Sequence, residues 1–139
     1  FICFQLRRRD HAAWRNGPTD ILIQSIKNLC KNYKVFVVGK GNEELHSLDN
    51  CEVVNLEKYT SLIKSKGCIA SFGISSGCSM LNYVYGREGL PVHILYTESR
   101  HMIEKNEIMF FGEKLNVANV SNGVHFSFDT YQNAIQSYL

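Results

Sequence analysis

No apolar run in the 139 residues approaches the roughly 20 that a membrane-spanning helix needs, so no transmembrane segment is expected. The excess of positive charge is small, +2 at pH 7, and does not by itself point to nucleic acid. The five cysteines are odd in number and contain no Cys-x-x-Cys pair. Cys3, Cys30, Cys51, Cys68 and Cys78 all sit in apolar segments. That pattern argues against a disulfide framework or zinc site and for buried thiols in a reducing compartment. The Gly-Lys-Ser/Thr ending of a Walker loop is missing, and no Gly-x-Gly-x-x-Gly follows the first apolar run, which disfavours an ordinary dinucleotide fold. No Ser-His-Asp order, metal-ligand cluster or carboxylate pair stands out, and there is no internal repeat or low-complexity segment. The chain opens on Phe1-Ile2-Cys3-Phe4 without an initiator Met or signal peptide. This leads to the expectation of a fragment whose N-terminal partner is missing, cytoplasmic or joined to a membrane only through missing parts. What is present, 45% hydrophobic and 20% charged residues, suits one globular domain over residues 1–139 with a single core.

Apolar runs alternate with helical spacings. Phe1–Leu6, Lys34–Val38, Cys51–Val54, Cys68–Phe72 and Pro91–Tyr96 read as strands. Behind Thr19, a plausible N-cap, Leu22, Ile26, Leu29 and Cys30 share a helix face that Asn32 ends. A short helix or turn is expected over Glu43–Ser47, and a helix over Leu56–Lys66 with Tyr59, Leu62 and Ile63 buried. Another helix follows Gly77, a further one spans Glu98–Asn106, and Ile108–His125 is irregular with an edge strand near Asn116–Val120. The last helix starts at Asp129 and aligns Tyr131, Ala134, Ile135 and Tyr138. Strands that are continuous apolar runs belong to a parallel sheet covered on both faces. The expected fold is therefore α/β, a doubly wound parallel sheet of Rossmann-like, three-layer α/β/α form. Ligands of such sheets bind beyond the C-terminal strand ends, where Arg7–Asp10, Gly39–Asn42, Gly73–Gly77 and Thr97–His101 fall.

Gly73-Ile74-Ser75-Ser76-Gly77 directs hydroxyls and backbone N–H groups toward one spot at the start of a helix. That spot suits a phosphate or carboxylate; the alternative is an ordinary cap in which Ser75 or Ser76 satisfies the free N–H groups. Arg7, Arg8 and Arg9 could neutralise a diphosphate, with Asp10 fixing one guanidinium and Arg8 the first choice; the alternative is a solvated surface run. Gly39 and Lys40 could let the backbone and a cation approach a nucleotide, or could form a plain turn. Glu98 is either a ribose acceptor or a helix N-terminal acid, His93 is a core or edge residue, and His11 and His101 are candidates in strand-end loops.

Gln5-Leu6-Arg7-Arg8-Arg9-Asp10 resembles the His-x-Arg-Arg-x-Asp motif of the α1,2/α1,6-fucosyltransferase group, whose second Arg contacts the diphosphate of GDP-fucose. Arg7, Arg8 and Asp10 match; Gln5 stands in place of the His and Arg9 in place of a usually smaller residue. Ser71–Gly77 is similar to the Ser-rich turn of the same group and to the Asn-Asp-Ser-Gly turn of heptosyltransferase-like enzymes. With the strand and helix order, the chain resembles the C-terminal, nucleotide-sugar-binding half of a GT-B glycosyltransferase. The resemblance implies metal-independent transfer of a sugar, fucose among the candidates, from a nucleotide diphosphate sugar such as a GDP-sugar to a glycan hydroxyl. It implies Arg8 and Arg7 as catalytic groups and a donor site of Asp10, Gly73, Ser75, Ser76 and Gly77, to which the reading of the strand ends adds Gly39, Lys40 and Glu98. It implies no separate cofactor, and a missing N-terminal GT-B domain that supplies the acceptor site and any base. Competing expectations are a phosphosugar- or nucleotide-binding domain without catalysis, a nucleotide-sugar epimerase of the same fold, and a partner-binding domain with a surface Arg cluster.

Overall fold

Residues 1–7, 19–40, 42–74, 77–95 and 128–139 are described by a computed structural model. Within them, β1 (Ile2–Leu6), β2 (Val35–Gly39), β3 (Cys51–Val53), β4 (Ala70–Ile74) and β5 (Val92–Leu95) form one sheet in the order β3-β2-β1-β4-β5. Every pairing is parallel. The chain winds outward from β1 to β2 and β3, then returns to the other side of β1 for β4 and β5. The order therefore reverses between β1 and β4, the switch point of a doubly wound sheet.

Alternation along each strand distributes its side chains between two cores. Ile2, Phe4 and Leu6 pack with Val35, Val37, Ala70, Phe72 and Ile74 beneath α1 (Thr19–Leu29) and α4 (Phe128–Gln136). On the opposite face Cys3, Val38 and Val92 meet α2 (Leu56–Lys64) and α3 (Gly77–Tyr85). The two cores of a three-layer α/β/α unit follow directly from these strands being apolar on both sides. Each fully buried Phe, Leu or Ile contributes roughly 1.5–3 kcal/mol of transfer free energy. Polar contacts fix the outer helices: Gln132 of α4 donates to Ser25 Oγ (2.7 Å) and accepts from Asn28 Nδ2 (2.8 Å), both on α1. At the β3 edge, Lys58 and Lys34 pair with Glu52. Such charge discourages pairing of that edge with another strand.

Several boundaries depart from the expectations. Thr19 is the first residue of α1 rather than its N-cap, and the face of Leu22, Ile26, Leu29 and Cys30 is buried. The helix ends at Leu29, before Asn32, whose N–H donates to the Leu29 carbonyl at 3.1 Å. The turn after β2 is a 3₁₀ helix limited to Glu43–Leu45. Asn55 caps α2, its Oδ1 accepting from Lys58 N at 2.8 Å, and Ser65 ends it, short of Lys66. Tyr59 and Ile63 are buried as expected, whereas Leu62 is only partly covered.

The largest departure concerns β4. Its apolar run starts at Cys68, but Cys68 N donates to Ser65 O (3.1 Å) and belongs to the turn after α2. Pairing with β1 starts at Ile2↔Ala70 and runs to Gln5↔Gly73. Gly73 and Ile74, expected in the turn, are therefore strand residues. The helix Glu98–Asn106, the edge strand Asn116–Val120 and the irregular stretch Ile108–His125 lie outside the described residues.

Candidate functional site

The C-terminal end of β1 is flanked by a glycine on each side. Leu6 pairs with Gly39 of β2, and Gln5 pairs with Gly73 of β4. Both glycines have positive φ, 113° at Gly39 and 148° at Gly73. A Cβ at Gly39 would collide with the Leu6 carbonyl oxygen. One at Gly73 would stand 2.5 Å from Gln5 O and 2.7 Å from Gln5 N. Only glycine lets the backbone approach this closely in that conformation. Three strands thus converge on Arg7, the residue that follows β1. Arg7 is half-buried, with its Nε shielded from solvent.

Beyond β2, Lys40 is exposed, and Asn42 Nδ2 donates to the Gly39 carbonyl at 2.6 Å, closing the turn. Beyond β4, Gly77 opens α3, so its first N–H groups lie at the same sheet edge as Arg7. Gly39, Lys40, Gly73, Gly77 and Arg7 are therefore brought to the C-terminal ends of three neighbouring strands. Arg8, Asp10, Ser75, Ser76 and Glu98 lie outside the described residues, as do Arg9, His11 and His101. The strands leading into Arg8 and into Ser75-Ser76 are adjacent.

Sequence reasoning did not identify the network beneath this edge. Gln5, Tyr59 and Ser71 are fully buried and Asn82 nearly so. Gln5 Nε2 donates to the Tyr59 hydroxyl and, at 2.7 Å, to Ser71 Oγ. Tyr59 donates its own proton to Asn82 Oδ1 at 2.9 Å. A phenol has one proton to give, so at the 3.0 Å contact between the two hydroxyls Ser71 is the donor. Burial pushes the Tyr59 hydroxyl well above its usual range, with Ser71, Gln5 and Asn82 opposing that rise, so it stays neutral. The four side chains tie β1, α2, β4 and α3 into one unit. They hold α3, through Asn82 in its second half, against the strand that leads to Arg7. Gln5 and Ser71 interrupt otherwise apolar strands, and that interruption was the signal available in the sequence.

Two further residues have structural roles. His93 is buried between Phe72, Tyr131 and Tyr138, with ring centroids 6.4, 5.8 and 5.3 Å away. Burial lowers its pKa to about 4, so it is neutral near pH 7. Arg87, just past α3, donates from Nε and Nη2 to the Cys68 carbonyl at 3.2 and 3.0 Å, closing the opposite edge of the sheet. Among the described residues, no three His, Cys, Asp or Glu side chains gather as a metal-binding group, and no helix is long and apolar enough to cross a membrane.

Chemically, this edge offers a guanidinium, a nearby lysine, and the N–H groups of a helix start, a combination that suits an oxyanion. No protein-family model, curated protein or solved structure matches the chain.

Proposed function

We propose that the chain is the donor-binding half of a GT-B glycosyltransferase, holding the diphosphate of a nucleotide sugar at the C-terminal ends of β1 and β4. One observation carries the reading: β1 and β4 are hydrogen-bonded neighbours at the point where strand order reverses, so the arginine segment and Ser75-Ser76-Gly77 follow adjacent strands in the chain. The resemblance of Gln5–Asp10 and Ser71–Gly77 to fucosyltransferase segments supports the same site.

In sugar transfer, the bond from the anomeric carbon to the diphosphate breaks and charge grows on the departing oxygens. Arg8, helped by Arg7 and the α3 N-terminus, stabilises that charge. Loss of a contact of this kind typically raises the barrier by roughly 2–4 kcal/mol. On this reading the roles of the remaining candidates are chemical: Asp10 fixes a guanidinium, the Ser75 and Ser76 hydroxyls and the Lys40 ammonium serve the phosphates, and the Glu98 carboxylate serves the ribose. The acceptor hydroxyl and its base belong, on this reading, to a second α/β half.

Titration calorimetry of the chain with GDP, UDP and ADP tests the proposal. A marked preference for one diphosphate, abolished in Arg8→Ala, is expected. Absence of binding to all three overturns it in favour of a domain whose arginines meet a protein partner. Sugar transfer by these 139 residues alone would overturn the assignment of acceptor chemistry to a second half.

A further inference from the structure

The five cysteines are all reduced, and four of them form two neighbouring pairs. Cys3 and Cys68 share the other core with no exposure at either residue, and the Cys68 thiol donates to the Ala70 carbonyl at 3.5 Å. The other pair lies near the surface. Cys30 follows the last turn of α1, its N–H donating to Ile26 O at 2.9 Å, and Cys51 opens β3. Cys30 belongs to the core under α1 and Cys51 packs against that same core. Asn50 holds the arrangement. Its Nδ2 donates to the Cys30 carbonyl (3.1 Å) and its own carbonyl accepts from Val35 N (2.8 Å). With φ 59°, Asn50 turns the chain so that Cys51 follows back beside α1. Cys30 is buried, but Cys51 is partly open to solvent.

We propose that Cys30 and Cys51 are a redox modification site that closes to an intramolecular disulfide by exchange with a low-molecular-weight disulfide such as oxidised glutathione. Cys51 is the attacking sulfur because it is the one of the two open to solvent; the neighbouring Cys30 thiol lowers its pKa, burial opposes this, and the Lys34 ammonium adds to the lowering. Its thiolate, having released a proton, bonds to one sulfur of the small disulfide. The S–S bond breaks and the first small thiolate leaves, taking up a proton. Cys30 then loses its proton and attacks the Cys51 sulfur of the mixed disulfide, expelling the second small thiol. Two protein thiols and one small disulfide become one protein disulfide and two small thiols. The Cys3–Cys68 pair has the same neighbour chemistry but no access, so it does not exchange in the folded protein.

Val35 pairs with Cys51, which puts the modification at the N-terminal strand edge, opposite Arg7. The inference therefore stands apart from the nucleotide reading.

The test is incubation of the folded chain in glutathione buffers of rising oxidised fraction, acid quench, alkylation and peptide mapping. The alkylatable thiols are expected to fall from five by two, with one linked peptide joining Cys30 to Cys51 and full reversal by dithiothreitol. Cys30→Ser is expected to trap glutathione on Cys51. Full alkylation of Cys51 at the most oxidising ratio overturns the proposal, as does a linkage between any other cysteines. If Cys30→Ser does not fold, the wild-type peptide map decides alone.

Discussion

Gly73 of β4 lies directly opposite Gln5 of β1, and a Cβ on it would stand 2.5 Å from the Gln5 carbonyl oxygen. The φ of 148° adds strain for any other residue. Gly73→Ala must either shift β4 away from β1 or distort its own backbone. A loss of about 3 kcal/mol is expected, from the combined strain and overpacking. Urea unfolding of the variant checks it; an unchanged midpoint would show that the seam relaxes freely.

The Tyr59 hydroxyl touches Gln5, Ser71 and Asn82 in a site without solvent. Tyr59→Phe keeps the ring and leaves those partners short of a hydrogen bond. The expected cost is about 1–3 kcal/mol. A double-mutant cycle with Ser71→Ala measures the coupling, and additive effects would contradict a shared network.

His93 supplies a pH dependence. Its pKa is near 4 when folded and 6.5 when free, so between those values the unfolded chain binds the extra proton. The stability from keeping the imidazole neutral is complete above about pH 6.5 and is lost as pH falls toward 4, by about 3 kcal/mol in all. Denaturation midpoints measured across that window are expected to decline. His93→Leu should flatten the slope, and a slope that survives in the variant assigns it elsewhere.

If the sheet edge holds a diphosphate, Arg7→Ala and Arg8→Ala each weaken binding at least about tenfold, or roughly 1.4 kcal/mol. Arg8→Lys should recover only part of the loss, because an ammonium keeps the charge but not the two-pronged fork. Calorimetry with the preferred diphosphate distinguishes these cases. Full recovery by lysine would reduce the role of Arg8 to that of a point charge.

Much of the sheet was legible. Lys34–Val38 and Cys51–Val54 come within a residue of β2 and β3 because short apolar runs bounded by turns have few other solutions. The placement of β4 was not, since Cys68–Phe72 is as apolar as Ala70–Ile74 and only the partner strand selects the register. Arg7, Gly39 and Gly73 could be named from the sequence as site candidates. That the two glycines permit strand contact around β1 required the positions of neighbouring carbonyls.

By itself, the sequence determined that the strands would be parallel and covered on both faces, because apolar residues occupy both sides of each run and helical segments separate them. Tertiary structure decided the order β3-β2-β1-β4-β5, and so the adjacency of the strands that lead to Arg7 and Gly77. It also decided that Gln5, Tyr59, Ser71 and Asn82 meet, and that Asn50, the residue before Cys51, bonds to the Cys30 carbonyl. The physical reason is range. Burial preference is written locally in each segment, whereas hydrogen bonds between residues 54 or 66 positions apart exist only once the layers have packed.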